Sequence, residues 1–461
     1  MVSKALLLSM FGGLLFGTAI PPCPLAPLAW IGVAPLFLAN AYPIRWEQRV
    51  LCASIWSSAS AIAPIVVSIW IAMLQGVEYQ TDATFGVVAC FLLVALVVGI
   101  VAVIAGKMWL AGKWSGWQWA LAVAFIGVLV EWLSFWLPLP VQIAITQSRW
   151  LIFVSLAQLG GIWLVSWFVW FVNAVVAVTY LQRRVEPIAM GIVAVFTLLA
   201  FTIWRYTPQE TLWEESKSLT VALVQDAMGD PLNMVQTVRD AQLVVLSELA
   251  LGQETDLTQD WLSATAKKLD AFLVAGFVET QPPSNAAVLL APNGQEVLRH
   301  RKVHLFSDEH RYYQKGGEVK AYPPFGMAIC YDTVFPDVVR QLAQQGAKVI
   351  AVPNFDPYVV GYLFHHLHAA FLPFRAFENR VVIVKADARG LSQAFAIDGR
   401  CVAQAPLGRS TVLYAQVYPR QTDSLTPYTR WGDWFVILSA LGLFYLLVPL
   451  FLRRRKGANT Y

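Results

Sequence analysis

Hydrophobic residues run almost unbroken from 1 to 204, give way to an alternating pattern from 213 to 430, and dominate again from 434 to 452. A helix needs about 20 apolar residues to cross the hydrocarbon core of a bilayer. On that measure the pattern predicts spans near 5–20, 26–42, 51–74, 86–106, 119–137, 160–181 and 188–204, with an eighth over 434–452. The first has the length of a signal peptide. Pro21-Pro22-Cys23-Pro24 makes a poor small-residue cleavage site, however, and a second span follows at once, so it reads as a retained helix.

Between the seventh and eighth spans the period changes. Short apolar runs predict strands at 219–224, 271–278, 286–290, 296–302, 326–331, 349–352, 381–386, 393–397 and 401–404, and residues 233–248 pass from a helix into a further strand. Amphipathic stretches predict helices over 261–268, 335–344 and 363–377. Pro292-Asn293-Gly294 suits a hairpin turn, as does Asp398-Gly399. Strands and helices mixed in this order favour a layered α/β sandwich. The expected organisation is a membrane domain of seven spans over 1–212, an α/β domain over 213–430, and a closing span with a basic tail over 431–461.

Composition supports the membrane reading. The chain is 57% hydrophobic and 13% charged, with a mean hydropathy of +0.56, which excludes an ordinary soluble protein. Loop charges predict the orientation. Lys4, Arg45 and Arg49, Lys107 and Lys113, Arg183 and Arg184, and the tail Arg453-Arg454-Arg455-Lys456 fall on one side. The opposite loops are poor in positive charge: 75–85 carries Glu78 and Asp82 without Lys or Arg, and 138–149 carries only Arg149. Basic loops stay in the cytoplasm, so both termini are expected inside and the α/β domain outside. Trp30, Trp46, Trp114, Trp117, Trp119 and Trp150 fall near span ends, where an aromatic belt is expected. The net charge of +4 comes largely from these anchors. No basic patch with interleaved aromatics marks the α/β part for nucleic acid.

Glu131 lies inside a predicted span, where an ionisable group is expensive. Two readings stay open for it, a functional group and a hydrogen-bonding partner for a neighbouring helix. Cys23, Cys52, Cys90, Cys330 and Cys401 show no CxxC spacing and no disulfide framework. Cys401 is expected to be buried structure. His365, His366 and His368 invite a metal reading, but no carboxylate stands at matching spacing, and they are expected on a helix surface or an interface.

Glu248, Lys302 and Cys330 each stand where one step of acyl transfer could use them. Glu248 follows an apolar run, at the mouth of a buried strand. Cys330 ends the run Phe325-Gly326-Met327-Ala328-Ile329, where a strand enters a turn. A thiolate nucleophile, a carboxylate base and an ammonium that steadies an oxyanion suffice to break an ester or amide. The backbone N–H of Tyr331, just after the nucleophile, would add a second oxyanion donor.

These three residues and their surroundings resemble the carbon–nitrogen hydrolase (nitrilase) superfamily, with its Glu-Lys-Cys triad and αββα sandwich. Asn285 and Pro292-Asn293-Gly294 precede the lysine, and Ile329-Cys330-Tyr331-Asp332 and Phe335-Pro336 surround the cysteine. Gly346-Ala347, Pro353-Asn354, Arg375-Ala376-Phe377-Glu378 and Gly390-Leu391-Ser392 follow in order. In the membrane half, Pro21-Pro22, Ala34-Pro35-Leu36, Glu131-Trp132, Gln158-Leu159-Gly160-Gly161, Ser166 and Asn173 are similar to the apolipoprotein N-acyltransferase family.

That resemblance implies a phospholipid acyl donor, a thioester on Cys330, and as acceptor the N-terminal amine of a lipid-modified cysteine in a lipoprotein. It implies an enzyme of the bacterial inner membrane, monomeric, free of cofactor and metal, with its catalytic domain on the periplasmic side. Its second functional glutamate maps to Glu309, for which an active-site role and a solvated face are both open. Where the family carries Glu two residues after the cysteine, this chain has Asp332, read either as support for the site or as a cap for the next helix. Ser247 replaces the usual proline before the glutamate, and the interval from Lys302 to Cys330 is short. The competing readings are a membrane-bound amidase or acyltransferase acting on another amine or amide, and an inactive lipid-binding scaffold.

Overall fold

A computed structural model of the chain describes residues 1–76, 84–137, 139–184, 191, 197, 199, 201, 218–227, 229–356 and 362–458. It divides into two compact units. Met1–Ser68, Phe85–Arg205 and Asp433–Tyr461 form one, and Ile69–Thr84 with Tyr206–Gly432 form the other.

The first unit is helical. Among the described residues, Trp46–Leu74, Phe91–Leu110, Gly116–Trp136 and Ala157–Gln182 are long and apolar enough to cross a membrane. Val2–Gly17, Ala26–Asn40 and Trp434–Pro449 are shorter apolar helices. The span expected at 188–204 lies almost wholly outside the described residues, as do Glu78 and Asp82. Small residues let these helices approach closely. A Cβ on Gly13 would stand 2.1 Å from the carbonyl oxygen of Trp56.

The second predicted span differs from a single helix. Residues 26–40 form three short pieces, Ala26–Leu28, Ala29–Gly32 and Ala34–Asn40. Pro27 and Pro35 lack the N–H a continuous ladder needs, and Gly32 weakens what remains. In an apolar surrounding the freed backbone groups need partners, and Asn173 supplies them from the helix Ala157–Gln182. Its side-chain oxygen accepts from the N–H groups of Val33 and Ala34, each at 2.8 Å, and its amide donates to the Ala29 carbonyl at 2.8 Å.

Glu131 is fully buried between helices. Its carboxylate accepts from the Ser166 hydroxyl at 2.6 Å, the Trp170 indole N–H at 2.7 Å and the Ile143 backbone N–H at 3.2 Å. Of the two readings left open for it, this geometry is that of an interhelical tie.

The second unit is a four-layer sandwich. Its strands are β1 (Leu219–Gln225), β2 (Leu243–Val245), β3 (Phe272–Thr280), β4 (Pro283–Leu290), β5 (Glu296–Arg301), β6 (Ala321–Tyr322), β7 (Phe325–Met327), β8 (Val349–Asn354), β9 (Val382–Asp387), β10 (Gln393–Phe395), β11 (Cys401–Gln404) and β12 (Thr411–Val417). They form two six-stranded sheets, ordered β12-β1-β2-β3-β4-β5 and β11-β10-β9-β8-β7-β6. β1 and β3 of one sheet meet β9 and β8 of the other.

The helix Asp256–Leu269 covers the outer face of the first sheet, where Leu262 and Ala266 pack with Val244, Leu246, Leu273 and Ala275. Asp337–Gln344 and Leu372–Asn379 cover the second, where Val339, Leu342 and Ala376 pack with Ile350, Val352 and Ile383. Val221, Leu223, Val245 and Val274 alternate with these residues along the strands and are buried too. Central strands buried on both faces give the unbroken apolar runs that marked them in the sequence.

Three boundaries move. The strand expected over 326–331 stops at Met327, and Cys330–Thr333 is a 3-10 turn. The helix expected from 335 starts at Asp337. The single helix expected over 363–377 is two, Tyr362–Ala369 and Leu372–Asn379. Pro373 stands at the start of the second, where its missing N–H costs nothing, whereas inside one long helix it would break the ladder. β12, which pairs antiparallel with β1, lay outside the expected strands.

Candidate active site

Lys302 follows the last residue of β5, and its backbone N–H donates to the Asn285 carbonyl on β4 at 2.9 Å. This pairing fixes its side chain at the buried end of the hairpin, where it is 1% exposed. The Lys302 Nζ donates to Glu248 Oε1 at 2.8 Å and to Glu309 Oε1 at 2.9 Å. Asn285 Nδ2 reaches the same two carboxylates, at 2.6 Å and 3.1 Å. Glu309 belongs to the 3-10 turn Ser307–Arg311 and is oriented by the Phe306 N–H, which donates to its Oε2 at 2.7 Å. Glu309 faces Lys302 and Asn285 while its side chain stays 20% exposed. One ammonium thus bridges two carboxylates.

Burial and charge set the protonation of this cluster. Burial raises the Glu248 carboxyl above the usual range, and Lys302 offsets part of that rise. Burial alone would lower the Lys302 ammonium; the charges of Cys330, Glu248 and Glu309 outweigh it and hold the group well above its ordinary value. The Cys330 thiol is pushed well up by burial and by the Glu248 charge, with Lys302 opposing. The site thus sets an ammonium held well above its ordinary value beside a thiol and a carboxyl that burial raises above theirs.

Cys330 opens its turn with φ +46°, in the left-handed region that non-glycine residues avoid. Asp332 secures this turn from within. Its Oδ1 accepts from the N–H groups of Val303 at 3.0 Å and His304 at 2.7 Å, and its Oδ2 accepts from the Ile329 N–H and from His300 Nε2, both at 3.0 Å. Burial would raise this carboxyl, but the His300 bond and the backbone donors hold it below the usual range. The residue ties the segment around Lys302 to the one that carries Cys330. It does not cap the following helix, which begins at Asp337 without a side-chain cap. Tyr331 is the second residue of the same turn.

A second polar cluster lies behind the cysteine, at the C-terminal ends of β8 and β9. Asn354 donates to Asp387 Oδ2 at 2.6 Å, and Lys385 Nζ lies 3.1 Å from that oxygen and 3.7 Å from Asp356 Oδ2. His368 reaches Asp356 from the helix Tyr362–Ala369. His365, His366 and His368, expected on a helix surface or at an interface, are buried. The carboxylates beside His365 and His368, Asp356 and Asp387, lie outside the helix, past the end of β8 and at the end of β9, which spacing along one helix could not reveal. Cys330, Asp356 and His368 present ligand atoms within 4.8 Å of one another, as do Asp356, His365 and Asp387. The Lys385 ammonium already supplies a cation to Asp356 and Asp387. Cys401, expected inside, is exposed.

Asn285, Asp356, Lys385 and Asp387 were given no site role by the sequence. The available signal was polar residues closing apolar strands, as in Asn354 after Val349–Val352 and Asp387 after Val382–Val384.

Residues 206–426 match the family model of carbon-nitrogen hydrolases. Residues 12–175 match that of the apolipoprotein N-acyltransferase N-terminal domain. The chain belongs to the apolipoprotein N-acyltransferase family. An apolipoprotein N-acyltransferase of Chlorobaculum tepidum is 25% identical over 94% of this chain and 94% of its own. One of Geobacter metallireducens is 22% identical over 98% of this chain and 96% of its own. A deaminated glutathione amidase of Synechocystis is 31% identical, but over 36% of this chain and 65% of its own. Membership of the family thus rests on both halves of the chain, the likeness to amidases on the hydrolase half alone.

Proposed function

We propose that this enzyme moves a fatty acyl chain from a membrane phospholipid to the N-terminal amine of a lipid-modified cysteine in a lipoprotein, with Cys330 as nucleophile, Glu248 as base and Lys302 as oxyanion partner. The observation that carries the assignment of roles is the buried Lys302 ammonium held between Glu248 at 2.8 Å and Glu309 at 2.9 Å.

In the first half-reaction the Cys330 sulfur attacks the ester carbonyl carbon while its proton passes to Glu248. The carbonyl oxygen takes up the negative charge and is met by Lys302 Nζ, with the Tyr331 N–H as second donor, each worth about 3 kcal/mol. Collapse breaks the ester C–O bond, the leaving alkoxide takes the proton from Glu248, and lysophospholipid departs. In the second, the acceptor amine attacks the thioester, loses a proton to Glu248, and the thiol is regenerated. Two half-reactions through a covalent intermediate give ping-pong kinetics. Glu309 and Asn285 hold Glu248 and Lys302 in register, and Asp332 positions the turn.

The proposed arrangement in the membrane is eight spans with both termini in the cytoplasm, supported by the loop charges. The catalytic domain, over 213–430, then faces the extracytoplasmic side of a bacterial inner membrane, and the enzyme acts as a monomer without a cofactor. Labelled phospholipid with a diacylated lipopeptide tests the reading: triacylated product supports it. Hydrolysis without transfer would instead favour an amidase-like activity, and the absence of any acyl-Cys330 adduct an inactive scaffold.

A further inference from the structure

The chemistry above makes no use of a buried acid–imidazole pair that touches the nucleophile's own backbone. His368 is 3% exposed and Asp356 1%. The His368 Nδ1 lies 2.8 Å from Asp356 Oδ1. Its Nε2 lies 3.2 Å from the Cys330 carbonyl oxygen and 3.1 Å from Thr333 Oγ1. The Thr333 hydroxyl donates to that same carbonyl at 2.9 Å.

These contacts fix the direction of the hydrogen bonds around the Cys330 carbonyl. A carbonyl oxygen only accepts, and the single hydrogen of the Thr333 hydroxyl is committed to it. The ring nitrogen facing them is therefore a donor. The other faces the Asp356 carboxyl, which burial would raise but the neighbouring Lys385 ammonium helps hold below the usual range. The nitrogen that faces the nucleophile's turn therefore takes no proton in the reaction. The ring is a two-ended clamp. One end is anchored through Asp356, whose backbone N–H donates to Asp387 Oδ1 at 3.3 Å, to the rigid ends of β8 and β9. The other holds the carbonyl of Cys330, whose left-handed φ of +46° needs outside support to persist.

We propose that His368, oriented by Asp356, is a positioning residue for acyl transfer: its grip on the Cys330 carbonyl and the Thr333 hydroxyl locks the left-handed turn that aims the sulfur at the ester carbon. The inference rests on Cys330 being the nucleophile. A sulfur released by about an ångström loses on the order of 10²-fold in rate.

The test uses the full chain in detergent micelles and two rates measured at Cys330: carboxamidomethylation by iodoacetamide, located by mass spectrometry, and thioester formation from labelled phospholipid. His368→Phe is expected to slow both by about 10- to 100-fold per folded molecule, with the phospholipid KM unchanged and the thermal midpoint lowered by the broken buried pair. His368→Gln, which keeps a donor within reach of the carbonyl, recovers part of the loss. Combining His368→Phe with Asp356→Asn slows the rates no further, because the pair acts as one unit.

Wild-type rates in His368→Phe, or losses that multiply in the double variant, overturn the proposal. Should His368→Phe fail to fold, Thr333→Val removes one of the two groups on the carbonyl and is expected to slow alkylation several-fold; unchanged rates in it and in His368→Gln overturn the proposal equally. If wild-type Cys330 alkylates but never carries an acyl group, the acyl-transfer reading fails, while the alkylation rates still decide the role of His368.

Discussion

Gly276 on β3 lies directly beneath the backbone of Glu248: a Cβ built on it would stand 2.9 Å from the Glu248 Cα and 2.7 Å from the Leu249 nitrogen. Only a residue without a side chain lets the β2 strand end turn across β3 at this depth. Gly276→Ala is therefore expected to push the proposed base away from Lys302. The overpacking costs about 1–3 kcal/mol of stability, and thioester formation falls further than the loss of folded protein explains. Single-turnover acylation normalised to folded enzyme measures the difference. Normal acylation in a folded Gly276→Ala protein would show that Glu248 tolerates the shift.

Asp332 offers a second separation of structure from chemistry. It accepts from three backbone N–H groups and His300 and makes no step of the reaction. Asp332→Ala leaves those buried donors unsatisfied, at a cost of about 3–5 kcal/mol for a broken buried pair. Asp332→Glu adds one methylene in a filled space and is expected to cost less than Asp332→Ala. Because the folded-state pKa of Asp332 is depressed, its contribution to stability is fully present above the ordinary aspartate pKa and is lost as pH falls through the folded value. Melting midpoints measured from neutral pH downward should therefore fall less for Asp332→Asn than for the wild type.

How much of this was legible beforehand depends on the range of the interactions. Long apolar spans and period-two strands are local, so the helices at 51–74 and 160–181 and most strands were visible in the pattern. Glu248, Lys302 and Cys330 stood out because each closes a buried run or follows one. The broken stretch 26–40 did not, although Pro27, Gly32 and Pro35 mark it, because only Asn173, far along the chain, makes the break tolerable. The histidines misled for a different reason: Asp356 is only 12 residues from His368, but it lies outside their helix. Their burial depends on Asp356 and on the strand ends, and a short helix with three histidines carries no local sign of either.

In the membrane unit, Glu131 ties Ser166, Trp170 and Ile143 together. Glu131→Ala abandons three buried donors, and each orphaned polar group costs about 1–3 kcal/mol. Glu131→Gln keeps an acceptor oxygen and is expected to lie between alanine and wild type. Melting in detergent ranks the three proteins. Glutamine below alanine would mean that Glu131 does something other than accept these bonds.

The acid limb of the pH–rate profile follows from the charges around Glu248. As base it works only when ionised, and burial raises its carboxyl above the usual range. The kcat/KM for phospholipid should therefore decline on acidification at a pH above the ordinary glutamate pKa of about 4.3. The neighbours set opposite signs. The Glu309 charge raises the Glu248 carboxyl and the Lys302 charge lowers it. Glu309→Gln removes a negative neighbour, so ionised Glu248 becomes easier to form and the limb moves to lower pH. Lys302→Met removes the stabilising ammonium, so the limb moves up, on top of a loss of about 10²- to 10³-fold in kcat from the missing oxyanion partner. Profiles of the three proteins measured by acyl-enzyme formation decide the matter. A limb that stays in place in Glu309→Gln, or moves upward, would show that a group other than Glu248 accepts the thiol proton.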